Sequence, residues 1–329
     1  MRRLLLWQGM SSAPASAPLA PPRTISARGL AGAPQVERID PLRRGVAWGA
    51  MIAGSALPVI ISRLSGEGAP AFVPLAQTLV LVITALLIYR SERLRPLVGF
   101  VLTVAILRLG WYSIAPVLAD WPPIHNLSAG SSWAAQQFIA RCLFGAGALL
   151  MLPTIFAAKL NRHDLFLCPG VLDAPAQPEP ILWFRKPVPW TRLGPQLLFV
   201  FGIALPIFLY LTLRPDFAHL SRLWAVLPWA FATAAVNAFN EEFQFRCVPL
   251  AHLRGVLPVR ECMLLTSVSF GMAHYFGQPS GPVGIVMAGL AGWIWAKSLL
   301  ETRGLGWAFG IHMVQDVVIF CFLALSAQV

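Results

Sequence analysis

Nine apolar stretches recur along the chain, at about residues 46–63, 71–89, 97–119, 136–158, 195–213, 222–242, 261–277, 282–300 and 306–326. A membrane-crossing helix needs roughly 20 apolar residues. The pattern therefore predicts an all-α, polytopic integral membrane bundle of about 8–9 transmembrane helices. Several stretches contain Gly and Pro, which membrane bundles tolerate because neighbouring helices satisfy the backbone groups those residues free. The longest polar break, 159–194, includes the Pro-rich run DAPAQPEP at 173–180. With the Ala/Ser/Pro/Arg-rich N-terminal stretch, it divides the chain into three expected parts: a disordered basic cytoplasmic tail (1–44), N-terminal transmembrane helices with no assigned role (45–190), and a C-terminal membrane domain (191–329). No internal repeat is visible.

Composition sharpens this picture. Of 329 residues only 12% are Asp, Glu, Lys or Arg, against roughly 25% in globular domains. Hydrophobic residues reach 57% and mean hydropathy is +0.67. A disordered chain, a collagen-like chain and an ordinary soluble enzyme are excluded. The net charge is +11. The basic residues sit between apolar runs, which points to membrane topology and lipid headgroups rather than to nucleic acid. With nine spans and a cytoplasmic N-terminus, 19 basic residues fall inside and three outside. Arg108, Arg141 and Arg246 lie within or at the edge of spans. That bias predicts an integral plasma (inner) membrane protein with its N-terminus in the cytoplasm. The Arg-rich tail also has a transit-peptide composition, so an organelle membrane is the alternative. The five cysteines are scattered without a CxxC pair. No disulfide framework or thiolate zinc site is expected.

Ionisable side chains inside a membrane are costly and usually face an interior or a cavity. Arg108 and Arg141 stand alone and read as structural. The others form three clusters. In Asn240-Glu241-Glu242-Phe243-Gln244-Phe245-Arg246, Glu242 and Arg246 are four apart and share a helix face. Glu241 is rotated by about 100° and is not that arginine's natural partner. Left unpaired in a low-dielectric site, it suits a general base. In Phe270-Gly271-Met272-Ala273-His274, the Phe270 ring can wall the His274 imidazole. In His312-Met313-Val314-Gln315-Asp316, Asp316 can orient the His312 ring. Each histidine alone reads equally well as a satisfied core residue.

Glu241 and His274 are equidistant from the break Arg254-Gly255-Val256-Leu257-Pro258, where a helix hairpin would turn. They can therefore face each other at one depth. His312 comes two crossings later, on the same side. Between them Gly284, Ala288 and Gly292 repeat every four residues, a small-residue face for close packing.

The three clusters, in this order, resemble the CPBP family of intramembrane proteases, which includes type II CAAX prenyl endopeptidases, abortive-infection proteins and bacteriocin-processing or immunity proteins. The family pattern is EExxxR, then FxxxH, then HxxxN or HxxxD. Here it reads Glu241-Glu242…Arg246, Phe270…His274 and His312…Asp316, and it would make 191–329 the protease domain. The resemblance implies an intramembrane endopeptidase cleaving a membrane-anchored or lipidated substrate near the cytoplasmic face. Glu241 would activate water with help from His274. Glu242 and Arg246 would hold the helix end, with Phe270 supporting. His312 and Asp316 would stabilise the oxyanion. Asp316 cannot donate when ionised, so either it is protonated or it orients His312. No cofactor is favoured. A zinc-dependent version would use Glu241, His274, His312 and Asp316 as ligands, although no HExxH is present. A non-catalytic immunity or scaffold protein on the same fold is a further alternative.

Overall fold

The structure, a computed structural model, describes residues 40–66, 70, 72–182 and 184–327. The predicted tail lies outside the described residues as far as 39. Its last residues instead open the first helix, α1 (Pro41–Gly54), whose N-terminal amides at Leu42 and Arg43 are capped by the Asp40 carboxylate. Arg93 grips that carboxylate through two bonds of 2.7 Å and holds it well below the usual carboxylate range.

Then follow α2 (Leu57–Leu64), α3 (Val73–Tyr89), α4 (Val98–Leu109), α5 (Ala115–Asp120), α6 (Pro122–Ala129) and α7 (Trp133–Ala157). A short β1–β2 ladder (Pro175–Ala176 with Val188–Pro189) leads into α8 (Trp190–Leu213) and α9 (Leu223–Glu242). The chain ends with α10 (Val248–Leu253), α11 (Val259–Ala273), α12 (Gly281–Thr302) and α13 (Gly306–Ser326).

Large apolar side chains cover the helix surfaces, and the mostly apolar interior also encloses a polar cluster. Leu79, Leu86, Phe199, Ile207, Phe231 and Val286 are exposed, whereas Asn237, Glu241, Glu242, Gln244, Arg246 and Asp316 are buried. An apolar exterior, with the ionisable side chains turned inward, is what a bilayer selects, and the protein is an integral membrane protein. Five helical segments are long and apolar enough to cross: Arg95–Asp120, Trp133–Ala157, Trp190–Leu213, Gly281–Thr302 and Gly306–Ser326. The α1–α2 pair, bent by 51°, is long and apolar enough when the two are taken as one span, which makes six. Eight to nine crossings were expected, and the shortfall has local causes. The stretch 71–89 yields a 17-residue helix. In 222–242 the hydropathy of α9 is diluted by Asn237, Asn240, Glu241 and Glu242. The stretch 261–277 yields a 15-residue helix that stops at His274.

The bend between α1 and α2 frees backbone carbonyls. The Gln77 amide donates to Ala53 O and Ser55 O, and its own oxygen accepts from Arg108 Nε at 2.9 Å. Arg108 therefore holds a broken helix together, consistent with the structural role read for it.

Two π-turns, Gly110–Ile114 and Phe243–Cys247, interrupt otherwise continuous helices. Each lies just ahead of a proline, Pro116 or Pro249. Proline lacks the N–H and its ring clashes with the carbonyl four residues earlier, here Tyr112 or Phe245. Both carbonyls fall inside a π-turn, which widens the helix to relieve the clash. The second turn directly follows Glu241-Glu242.

The 159–189 segment packs onto the ends of α12 and α13. Val171 N donates to Thr302 O and Leu305 N to Cys168 O, each at 2.8 Å. Glu301 gathers Lys297 Nζ, Trp190 Nε1 and Gln177 N.

α11 and α12 approach through glycines. A Cβ at Gly271 would meet Ile285 O at 2.6 Å and Gly289 Cα at 3.2 Å, both backbone atoms. Replacing Gly271 by Val is expected to cost about 2–3 kcal/mol through overpacking. Gly202→Ala, which places its Cβ in open space, is the control and should cost nothing. Thermal unfolding in detergent compares the two.

Candidate active site

α9 presents two faces. Asn237 and Glu241, four residues apart, line a cavity of about 610 Å³. Glu242, the next residue, turns away from it to meet Arg246. That pair is bidentate: Arg246 Nε donates to Glu242 Oε2 at 2.7 Å and Nη2 to Oε1 at 2.6 Å. Both side chains have zero solvent exposure. The guanidinium also lies over the rings of Phe270 (4.2 Å) and Trp295 (4.8 Å).

Glu242 has a second duty. Its Oε1 accepts from His312 Nδ1 at 2.7 Å. An ionised carboxylate only accepts, so Nδ1 carries a proton; Nε2, aimed at the cavity, also faces carboxylates and carries the second, which makes the ring an imidazolium. Nε2 stands 3.2 Å from Glu241 Oε2 and 3.7 Å from Asp316 Oδ2. The Trp295 ring stacks on the imidazole at 4.0 Å with 9° between planes. Arg246, Glu242, His312 and Glu241 thus form one continuous chain of bonds between α9 and α13.

The sequence suggested that Asp316 orients His312. The structure gives that task to Glu242, which holds the shorter bond and the opposite nitrogen. Asp316 is itself held, its Oδ2 accepting from Asn237 Nδ2 at 2.9 Å.

His274 lines the same cavity, at the C-terminal end of α11. It makes no direct bond to Glu241. Its Nδ1 lies 3.1 Å from Phe270 O. A carbonyl can only accept, so Nδ1 carries the hydrogen and Nε2 is left as a free acceptor. The Phe270 ring packs against the imidazole at 4.3 Å and touches Phe245, Trp295 and Arg246 besides. All seven residues singled out from the sequence therefore gather around one cavity or directly behind it.

Sequence reasoning missed others. Asn237, Trp295 and Tyr112 line the cavity, and so does Arg141, which had read as structural. Asn237 carried a usable signal, a polar residue one turn before Glu241 in an apolar run. The N-terminal helices also lock α9 in place. Asn240 Nδ2 donates to Arg141 O, and Gln244 donates to Phe144 O while accepting from Trp111 Nε1.

Zinc requires three or four donors converging at about 2 Å. Among the described residues no group of three or more His, Cys, Asp or Glu side chains is arranged to hold a metal ion. Glu242 and Glu241 already engage the two His312 nitrogens.

Residues 223–318 match the family model of the type II CAAX prenyl endopeptidases, Rce1-like. The match spans all three clusters and agrees with the family resemblance read from their motifs. No curated protein and no solved structure is matched by the chain.

Proposed function

We propose that this membrane protein, Rce1-like over residues 223–318, is an intramembrane endopeptidase in which Glu241 activates water. The observation that carries the reading is the chain of bonds Arg246–Glu242–His312 ending beside Glu241 in the cavity. Glu241 removes a proton from a water molecule, and the neutral His274 Nε2 accepts that water's other hydrogen. The water oxygen attacks the scissile carbonyl carbon. His312, fixed by Glu242, donates from Nε2 to the developing oxyanion. The C–N bond then breaks as Glu241 returns its proton to the leaving amine. Asp316, held by Asn237, flanks the imidazole and complements its positive charge. No step passes through a metal.

The substrate in this reading is a membrane-anchored or lipidated protein or peptide. It is cut near the cytoplasmic face of the plasma (inner) membrane, with the N-terminus of the enzyme on that side. Quantitative proteomics of membranes carrying the wild type or Glu241→Gln tests it. A peptide terminus shortened only by the wild type is the expected result. Identical terminal profiles would overturn the reading, and mass analysis of the shortened fragment shows whether its parent carries a prenyl group.

A further inference from the structure

Arg141 reaches the catalytic cavity from α7, outside the segment that matches the protease family. Its guanidinium makes no ion pair and no side-chain hydrogen bond among the described residues, and its buried Nε has no partner. It lies between two rings, Phe144 and Phe320, each 5.6 Å away. Phe320 is one turn beyond Asp316 on α13, so Arg141 spans the cavity from α7 to the helix that carries His312. Glu241 and Asp316 act on it only through space, and a guanidinium in a low-dielectric site with no carboxylate in direct contact is costly.

Two further cavity residues are incompletely satisfied. Asn237 is only 6% exposed. Its Nδ2 is used by Asp316, while its Oδ1 is unpartnered. Gln315 Oε1 is a second unpartnered acceptor. The cavity therefore offers one cationic donor and two neutral acceptors beyond the groups that perform the chemistry. A dianionic phosphate would supply no N–H for the acceptors and would crowd Glu241 and Asp316. A peptide segment with a carboxylate supplies the missing set: the anion for Arg141 and backbone N–H groups for Asn237 and Gln315.

We infer that Arg141, with Asn237 Oδ1 and Gln315 Oε1, forms a carboxylate-binding subsite that positions the peptide substrate beside Glu241. The inference rests on the protease reading. The carboxylate is either the substrate's free C-terminus or an Asp or Glu side chain close to the scissile bond.

The test uses the full chain in detergent carrying Glu241→Gln, so that a bound peptide is not consumed. Three probes are compared: an N-acetylated apolar hexapeptide as the free acid, the same peptide as the C-terminal amide, and an amidated version with one Asp. The free acid should bind about 10-fold to 100-fold more tightly than the plain amide, the range of one charge-assisted hydrogen-bonded contact. Adding Arg141→Gln should reduce that ratio to about one, and Arg141→Lys should restore part of it. If the Asp peptide alone shows the preference, the side-chain carboxylate is the ligand. A purely structural or charge-balancing arginine would weaken all probes equally and leave the ratio unchanged, which overturns the subsite. Equal binding of acid and amide, with Glu241-dependent cleavage intact in the wild type, overturns the subsite alone. Absence of both binding and cleavage overturns the protease reading and the subsite with it.

Discussion

Arg246→Met is expected to destabilise the protein by about 3–5 kcal/mol, the usual cost of stripping one partner from a buried ion pair. The midpoint of thermal unfolding in detergent should fall by about 10 °C. The size of the effect follows from what remains. Glu242 has no solvent exposure, and without its bidentate partner its charge is supported by His312 alone. The substitution also removes the cation that Phe270 and Trp295 enclose. A double variant, Glu242→Gln with Arg246→Met, separates fold from function. It leaves no unpaired charge, and the Gln oxygen can still accept from His312 Nδ1, so most of the stability should return. Activity should not return. A neutral amide no longer complements the positive charge on His312, and the loss of such a partner costs about 10-fold to 100-fold. Recovery of both stability and full activity would show that Glu242 serves only the fold.

This arrangement was partly legible in the sequence. The i, i+4 spacing of Glu242 and Arg246 dictated their pairing, because helical neighbours follow from chain geometry alone. Five of the nine apolar stretches became helices long enough to cross, since length and hydropathy are local properties. The contacts that decide the chemistry are not local. His312 meets Glu242 from 70 residues away, and Asn237 meets Asp316 across 79. A membrane helix is apolar on every side, so no amphipathic stripe announces which face turns inward. That is why Trp295 and Tyr112 gave no signal, and why Arg141 read as structural. The π-turn at 243–247 was equally hidden, although Pro249 was its visible cause.

Glu241→Gln is expected to lower kcat by about 1,000-fold, within the range that a positioned general base contributes. Gln fills the same space and can still contact His312 Nε2, so stability and substrate affinity should change little. What it lacks is a group that takes the water's proton and returns it to the leaving amine. The position of His274 makes a sharper prediction possible. Its Nδ1 is committed to Phe270 O, so Nε2 can hold the water only for a base that removes the other proton. His274→Ala alone should therefore lower kcat by about 100-fold, whereas in the Glu241→Gln background it should cost almost nothing more. Residues that act as a unit are strongly non-additive in this way. Single-turnover cleavage of one peptide by the wild type, both single variants and the double variant checks it. Losses that multiply would mean that His274 acts independently of Glu241. A Glu241→Gln enzyme that retains the wild-type rate would move the base elsewhere in the cavity, with Asp316 the next carboxylate in reach of His312.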